Sequence, residues 1–410
     1  MLSSWGIMAT CWGDLGVAKR ILTKAKLKAE VSRQVERQRQ KLIELSLKIH
    51  TNPELGFKEE KASGWLTSYL TRNGFQIEKG LGGLPTAFKA VYGSDKPVIA
   101  LLAEYDALPE IGHACGHNLI AASAVGAAVA SRCVVDSCGG AVVVFGTPAE
   151  ELFGGKVPML KAGVFDGVDV AMLVHPGLRN TVTTEALACI SLDVEFFGKG
   201  AHAAAYPEQG INALEATILA FNAVNSLRQH VKDKARIHGI ITHGGEAANV
   251  VPKYSAATFL VRASDNDYLD ELKQKVLNCF EGVALATGAR LDYKWGEVVY
   301  APMKNNLALA KLFARNMESL GREVEPFERY FGFGSTDMGN ISQIMPAIHP
   351  SVAIVPPNVL LHSSEFALAA ASESGHAGLL DAAKALAMTV ADLLSEAETL
   401  AKVEDEYSGL

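Results

Sequence analysis

Cysteine is scarce in this chain: Cys11, Cys115, Cys133, Cys138, Cys189 and Cys279 are spread over 410 positions. That density excludes a disulfide framework and favours a reduced compartment, so the expected localisation is cytoplasmic. A basic excess is also missing. The net charge of −7 argues against a nucleic-acid partner. The most basic stretch, Lys19 to Lys48, carries Leu42, Leu45 and Ile49 at helical spacing and reads as a solvated helix face. No run reads as long and apolar enough for a membrane span, so no membrane partner is expected. Met1 to Gly16 lacks the charged start and apolar centre of a secretory signal. With Asp14 its one acid and a basic stretch following, an organelle-targeting segment stays open as the alternative. Ser408-Gly409-Leu410 lacks the basic middle residue of a peroxisomal address.

What is present is apolar mass. With 49% hydrophobic and 20% charged residues, the chain has the composition of a globular protein with large cores, and its length predicts two domains. The pattern predicts a helix over 19–50, a turn at Asn52-Pro53-Glu54-Leu55-Gly56, and a second helix from Glu59 to Asn73 stopped by Gly74. Strands follow at 87–92 and 97–103, then 141–146 and 168–174. Helices lie between them at 119–131 and near 156–162. Three of these strands are continuously apolar, as a strand covered on both faces must be, which describes an α/β domain with a largely parallel sheet.

Each of those three strands runs into chemistry. One ends in Glu104 and Asp106, followed by His113-Ala114-Cys115-Gly116-His117-Asn118. The next ends in Thr147-Pro148-Ala149-Glu150-Glu151, and the third in His175-Pro176. Ligands of open α/β sheets sit beyond the carboxyl ends of the strands. A thiol and an imidazole two residues apart, joined by acids and a second imidazole at one rim, are what a metal site needs. Singly, each has an ordinary reading: a core cysteine, helix-start acids, a strand-end histidine. Core packing does not call for the coincidence.

From Ala188 the style changes to strand, helix, strand, strand, helix, strand, ending near Trp295 with the first helix over 208–229. That order is the split βαβ, ferredoxin-like arrangement. The expected division is therefore 1–187 and 301–410 for the α/β domain, with 188–300 inserted. The return segment should carry a helix to Leu320, a Gly-rich loop, a strand near 351–355 and a last helix from Gly375 to about Ala401.

The ordered set Glu104-Tyr105-Asp106-Ala107-Leu108-Pro109, His113 to Asn118, Pro148-Ala149-Glu150-Glu151 and His175-Pro176 resembles the aminoacylase-type metallopeptidases, peptidase family M20. The similarity is greatest to its amidohydrolase subgroup, which hydrolyses aminobenzoyl-glutamate, hippurate, auxin conjugates and β-alanyl-lysine or Xaa-Arg dipeptides. The resemblance implies that Cys115, His117, Glu151 and His175 bind two divalent metals, with Cys115 shared. It implies a late ligand, best matched by His362, with His349 and His376 as competitors. Asp106 would orient a ligand imidazole and Glu150 would be the general base. His202, in Gly200-Ala201-His202-Ala203, would stabilise the oxyanion from the partner subunit. Asn249, in the run from His243 to Pro252, would hold the substrate carboxylate, with Arg262 as a further anion-binding candidate. The inserted domain would be the lid and dimerisation domain of a homodimer. The substrate would be a small N-acyl amino acid or dipeptide, and zinc, manganese or cobalt the metal. Gly332 to Asp337 matches a Gly-rich loop near the family's site.

Two departures stand out. Relatives carry histidine or aspartate where Glu104 stands, and many carry aspartate where Asn118 stands. The second is expected to remove a charge beside the metals. The competing functional readings are a cysteine-nucleophile hydrolase using Cys115 with His117 or His175, a non-catalytic binding protein of the same fold, and an amide-forming enzyme.

Overall fold

The computed structural model describes residues 23–326 and 334–409. The N-terminal segment with Cys11, and Gly332 of the Gly-rich stretch, lie outside them. The first part of the chain gives α1 (Lys24–His50), α2 (Glu60–Arg72), β1 (Gln76–Lys79), β2 (Phe88–Gly93), β3 (Val98–Ala103), α3 (His117–Cys138), β4 (Ala141–Gly146), α4 (Glu150–Phe153), α5 (Lys156–Lys161), β5 (Val170–Met172) and β6 (His175–Gly177). After the inserted unit come α8 (Leu307–Ser319), α9 (Met338–Ser342), β11 (Ala347–Ile348), β12 (Ser351–Ala353), α10 (Ser364–Ala369), α11 (Glu373–Ser395) and α12 (Ala397–Gly409). The main sheet has the order β1-β2-β4-β3-β5-β11. The pairs β4/β3, β3/β5 and β5/β11 are parallel, and β1/β2 and β2/β4 antiparallel.

The unbroken apolar run of β3 has a direct cause. Ile99, Leu101 and Ala103 join the core beneath α1, α3 and α11, while Ala100 and Leu102 join the opposite core with Met159, Phe165 and Ile341. Strand side chains alternate in direction, so a helix layer on each face leaves no polar side. α3 was expected to contain no membrane-length apolar run, and this is corrected. His117–Cys138 is long and apolar enough to cross a membrane, and 83% of its most apolar window is buried inside the protein. Its small residues serve close packing: a Cβ on Gly126 would lie 2.7 Å from Leu42 Cδ1 of α1.

The inserted unit is β7 (Ala188–Phe197), α6 (Ala213–Leu227), β8 (Arg236–His243), β9 (Tyr254–Ala263), α7 (Asn266–Thr287) and β10 (Arg290–Trp295). Its antiparallel sheet has the order β10-β7-β9-β8, the ferredoxin-like order expected. α6 and α7 cover one face around Phe196, Phe259 and Phe280. α6 begins later than expected, at Ala213, because Asn212 caps it by accepting from Glu215 N. The last expected helix is two, divided where Glu396 takes an extended conformation (φ −140°).

Candidate active site

The parallel strands place their carboxyl ends along one rim. β3 leads into Glu104 and Asp106, both buried. Gly116 lets the chain turn from Cys115 into α3: its φ is +78°, and a Cβ there would lie 2.5 Å from Pro176 Cγ. After β4, Ala149 takes a left-handed conformation (φ +59°) that directs Glu150 and Glu151 into the rim. Glu59 holds this turn, its Oε1 accepting from Ala149 N at 2.9 Å and from Phe57 N. Beyond β5, His175 starts β6. The loop after β12 returns His362 to the site by donating its backbone N–H to Ala114 O at 3.1 Å.

Hydrogen bonds set the imidazoles. His117 Nδ1 is 2.9 Å from Asp106 Oδ1, and Asp106 Oδ2 accepts from Glu151 N at 3.0 Å. His175 Nδ1 donates to Pro176 O at 2.6 Å, leaving Nε2 3.3 Å from Cys115 Sγ. His117 Nε2 faces Glu151 Oε1 at 3.6 Å, and His362 Nε2 lies 3.5 Å from the same oxygen. Ligand atoms gather within 4.8 Å in overlapping sets: Cys115, His117 and His175; Cys115, Glu151 and His362; His117, Glu150 and Glu151. His117 Nε2 and Glu151 Oε1 are buried with no hydrogen-bond partner among the described residues. Unpaired buried polar atoms in a closed cluster are what cation ligation requires, and the thiol, imidazole and carboxylate donors suit divalent transition metals.

The charges are arranged accordingly. Burial pushes the Glu150 carboxyl well above its usual range, reinforced by Glu104, Asp337 and Glu151. Burial opposes ionisation of Glu151, but His362 and His117 outweigh it and hold its carboxyl down, to about 2. Burial raises the Cys115 thiol.

A buried lysine completes the floor, and the sequence reading missed it. Lys156 Nζ donates to Glu104 Oε1 and Asp337 Oδ1, both at 2.5 Å, and its backbone N donates to Asp337 Oδ2 at 2.9 Å. Burial disfavours its charge, yet Asp337, Glu104 and Glu150 together keep it protonated. So the carboxylate at position 104 is neutralised from within the chain. The Gly154-Gly155-Lys156 run at a helix start was the available signal. Asn118 Nδ2 donates to Ser46 Oγ and to Ala370 O, so the side chain beside His117 ties the start of α3 to α1 and to the residue that ends α10.

The lid candidates are not in this cluster. His202 Nδ1 accepts from Ala204 N and Ala205 N, which leaves Nε2 as an N–H donor in an exposed loop. Asn249 is exposed beside it, with its carbonyl accepting from Ala203 N. Arg262 Nη1 donates to Ser335 Oγ at 2.8 Å, linking β9 to the second half of the α/β domain. His349 is buried against His175, and His376 lies on α11.

Fold and site define a metal-dependent hydrolase of amide or peptide bonds. The model of the M20 peptidase dimerisation domain matches residues 188–287. Xaa-Arg dipeptidase of Mus musculus is 36% identical over 402 residues, covering 93% of this chain and 92% of its own. A p-aminobenzoyl-glutamate hydrolase polypeptide from Escherichia coli (strain K12) is 30% identical, covering 91% of this chain and 93% of its own. A dinuclear metal-binding M20 peptidase from Bacillus subtilis shares the fold, with a TM-score of 0.69 at 20% identity over 88% of this chain and 99% of that one. The chain belongs to peptidase family M20, within its amidohydrolase subgroup.

Proposed function

We propose that the protein cleaves the amide bond of a dipeptide or N-acyl amino acid, with two divalent cations held by Cys115, His117, His175, Glu151 and His362. The observation that carries this is the sharing of Cys115 between two donor sets, one with His117 and His175, the other with Glu151 and His362. The cations, when bound, acidify a water and polarise the scissile carbonyl. Zinc suits the mixed donors best, with manganese or cobalt as alternatives. Asp106 fixes the His117 tautomer, so that Nε2 offers its lone pair to the cluster. Glu150, beside the ligand Glu151, takes the proton of the attacking water and passes it to the leaving amine. His202 donates Nε2–H to the oxyanion, Asn249 holds the substrate carboxylate, and Arg262 supports the lid rather than the substrate. The substrate reading is supported by the relatives, which include an Xaa-Arg dipeptidase and an N-acetyl-L-cysteine deacetylase. The thiols of Cys115, Cys133, Cys189 and Cys279 are free, in keeping with a cytoplasmic setting.

The test is hydrolysis of a panel of Xaa-Arg, β-alanyl-lysine and N-acyl amino-acid substrates by the metal-loaded enzyme and by Glu150→Gln. The wild type should cleave at least one, and the variant should keep its metal while losing at least about 100-fold in kcat. A variant near full activity contradicts the base assignment. Inhibition by thiol alkylation with indifference to chelators would favour the cysteine-nucleophile reading instead.

A further inference from the structure

The rim has one more occupant. β11 is the next parallel strand beyond β5, and the residue at its carboxyl end is His349. Its backbone is stitched on both sides. Leu173 N donates to Ile348 O, His175 N donates to Pro350 O at 2.9 Å, and Thr184 Oγ1 donates to His349 O. The ring stands perpendicular to His175, centroids 5.6 Å apart, and His175 in turn stands perpendicular to His117 at 5.9 Å. His349 is only 7% exposed, and neither ring nitrogen has a hydrogen-bond partner among the described residues.

Leaving a buried imidazole unpaired costs about 1–3 kcal/mol, so a position fixed this firmly calls for a use. Ligation is not that use, because His349 joins none of the donor sets within 4.8 Å. It stands beside the cluster, at the carboxyl end of a parallel strand, the edge of an open α/β sheet where ligands bind. A neutral imidazole there offers an N–H, and the atom that gains negative charge during amide hydrolysis is the carbonyl oxygen. His202, the other donor proposed for this oxygen, uses only Nδ1 within its own loop and stands exposed on the inserted domain. His349 is therefore a donor that this chain supplies itself.

We propose that His349 is a catalytic residue whose ring N–H donates to the scissile carbonyl oxygen and to the oxyanion formed from it. The proton stays on His349 throughout, and no covalent bond at the ring forms or breaks. This rests on the hydrolase reading above, and the experiment separates the two. Wild type, His349→Ala and His349→Gln are loaded with zinc and assayed for kcat and KM on a dipeptide the wild type cleaves. Metal content and melting temperature are read in parallel. Failure of the wild type to cleave any substrate overturns the hydrolase reading. With the wild type active, the inference predicts a loss in kcat on the order of 100-fold in His349→Ala. KM and metal content should be nearly unchanged, and His349→Gln, which keeps an amide N–H, should recover part of the loss. An unchanged kcat, a rise in KM alone, or loss of metal would each overturn it. Should His349→Ala fail to fold, His349→Gln decides: a reduced kcat at full metal content supports the inference, and wild-type kinetics or lost metal overturn it.

Discussion

Among single residues, Glu59 shows how support for the site is hidden in ordinary-looking sequence. It precedes α2 and reads as a helix-start acid, yet its side chain is fully buried beneath the Ala149 turn. Burial raises its carboxyl from 4.5 to about 7. An acid with a raised folded-state pKa keeps its proton while the unfolded chain gives it up. Stability is therefore lost as pH rises from about 4.5 to 7 and is flat above, a contribution of about 3 kcal/mol. Glu59→Gln should flatten that part of the profile. The check is the urea midpoint of chelator-treated wild type and variant at pH 5 and pH 8; parallel shifts in both proteins would contradict the assignment. Of the candidate ligands, Cys115, His117, Glu151 and His175 were legible because each follows an apolar strand, whereas His362, in the loop after β12, was reached only through the family resemblance. Lys156 was not, since the Gly154-Gly155 pair before it marks only a turn, and its partners Glu104 and Asp337 come from β3 and a turn far along the chain.

At the scale of elements, the short segment from β4 through α4 to α5 brings Glu150, Glu151 and Lys156 to the rim. Gly155 makes it possible: a Cβ there would lie 1.9 Å from Pro148 O. Gly155→Ala must move the backbone that bears Glu150, Glu151 and Lys156. It should lower stability by about 1–3 kcal/mol and reduce metal content. Gly64→Ala in α2, where a Cβ meets nothing within 4 Å, is the control and should be neutral or stabilising. Melting temperature and metal analysis of both variants check this. The strands of the main sheet were readable from their apolar runs. Element ends were less so, because α6 starts at a capping asparagine and the C-terminal helix breaks at Glu396, where local geometry overrides periodicity.

For the whole molecule, the inserted domain holds His202 in an exposed loop. The edge strand β8 leaves Ile240 67% and Ile241 41% exposed, and α6 presents Ile218 and Leu219. An apolar edge of this kind suits pairing with a second copy. If His202 serves the partner's site, mixing Glu150→Gln subunits with His202→Ala subunits should restore activity. A hybrid dimer would then hold one site with an intact base and an intact donor; no recovery after verified exchange would place His202 in its own chain's site. The proposed function turns on Cys115 bridging two cations. Metal content per chain, measured by mass spectrometry on wild type and Cys115→Ser, tests it most directly. Two divalent ions are expected in the wild type, with loss at both positions in the variant. A chain that binds one ion or none, or a variant that retains both, would contradict it.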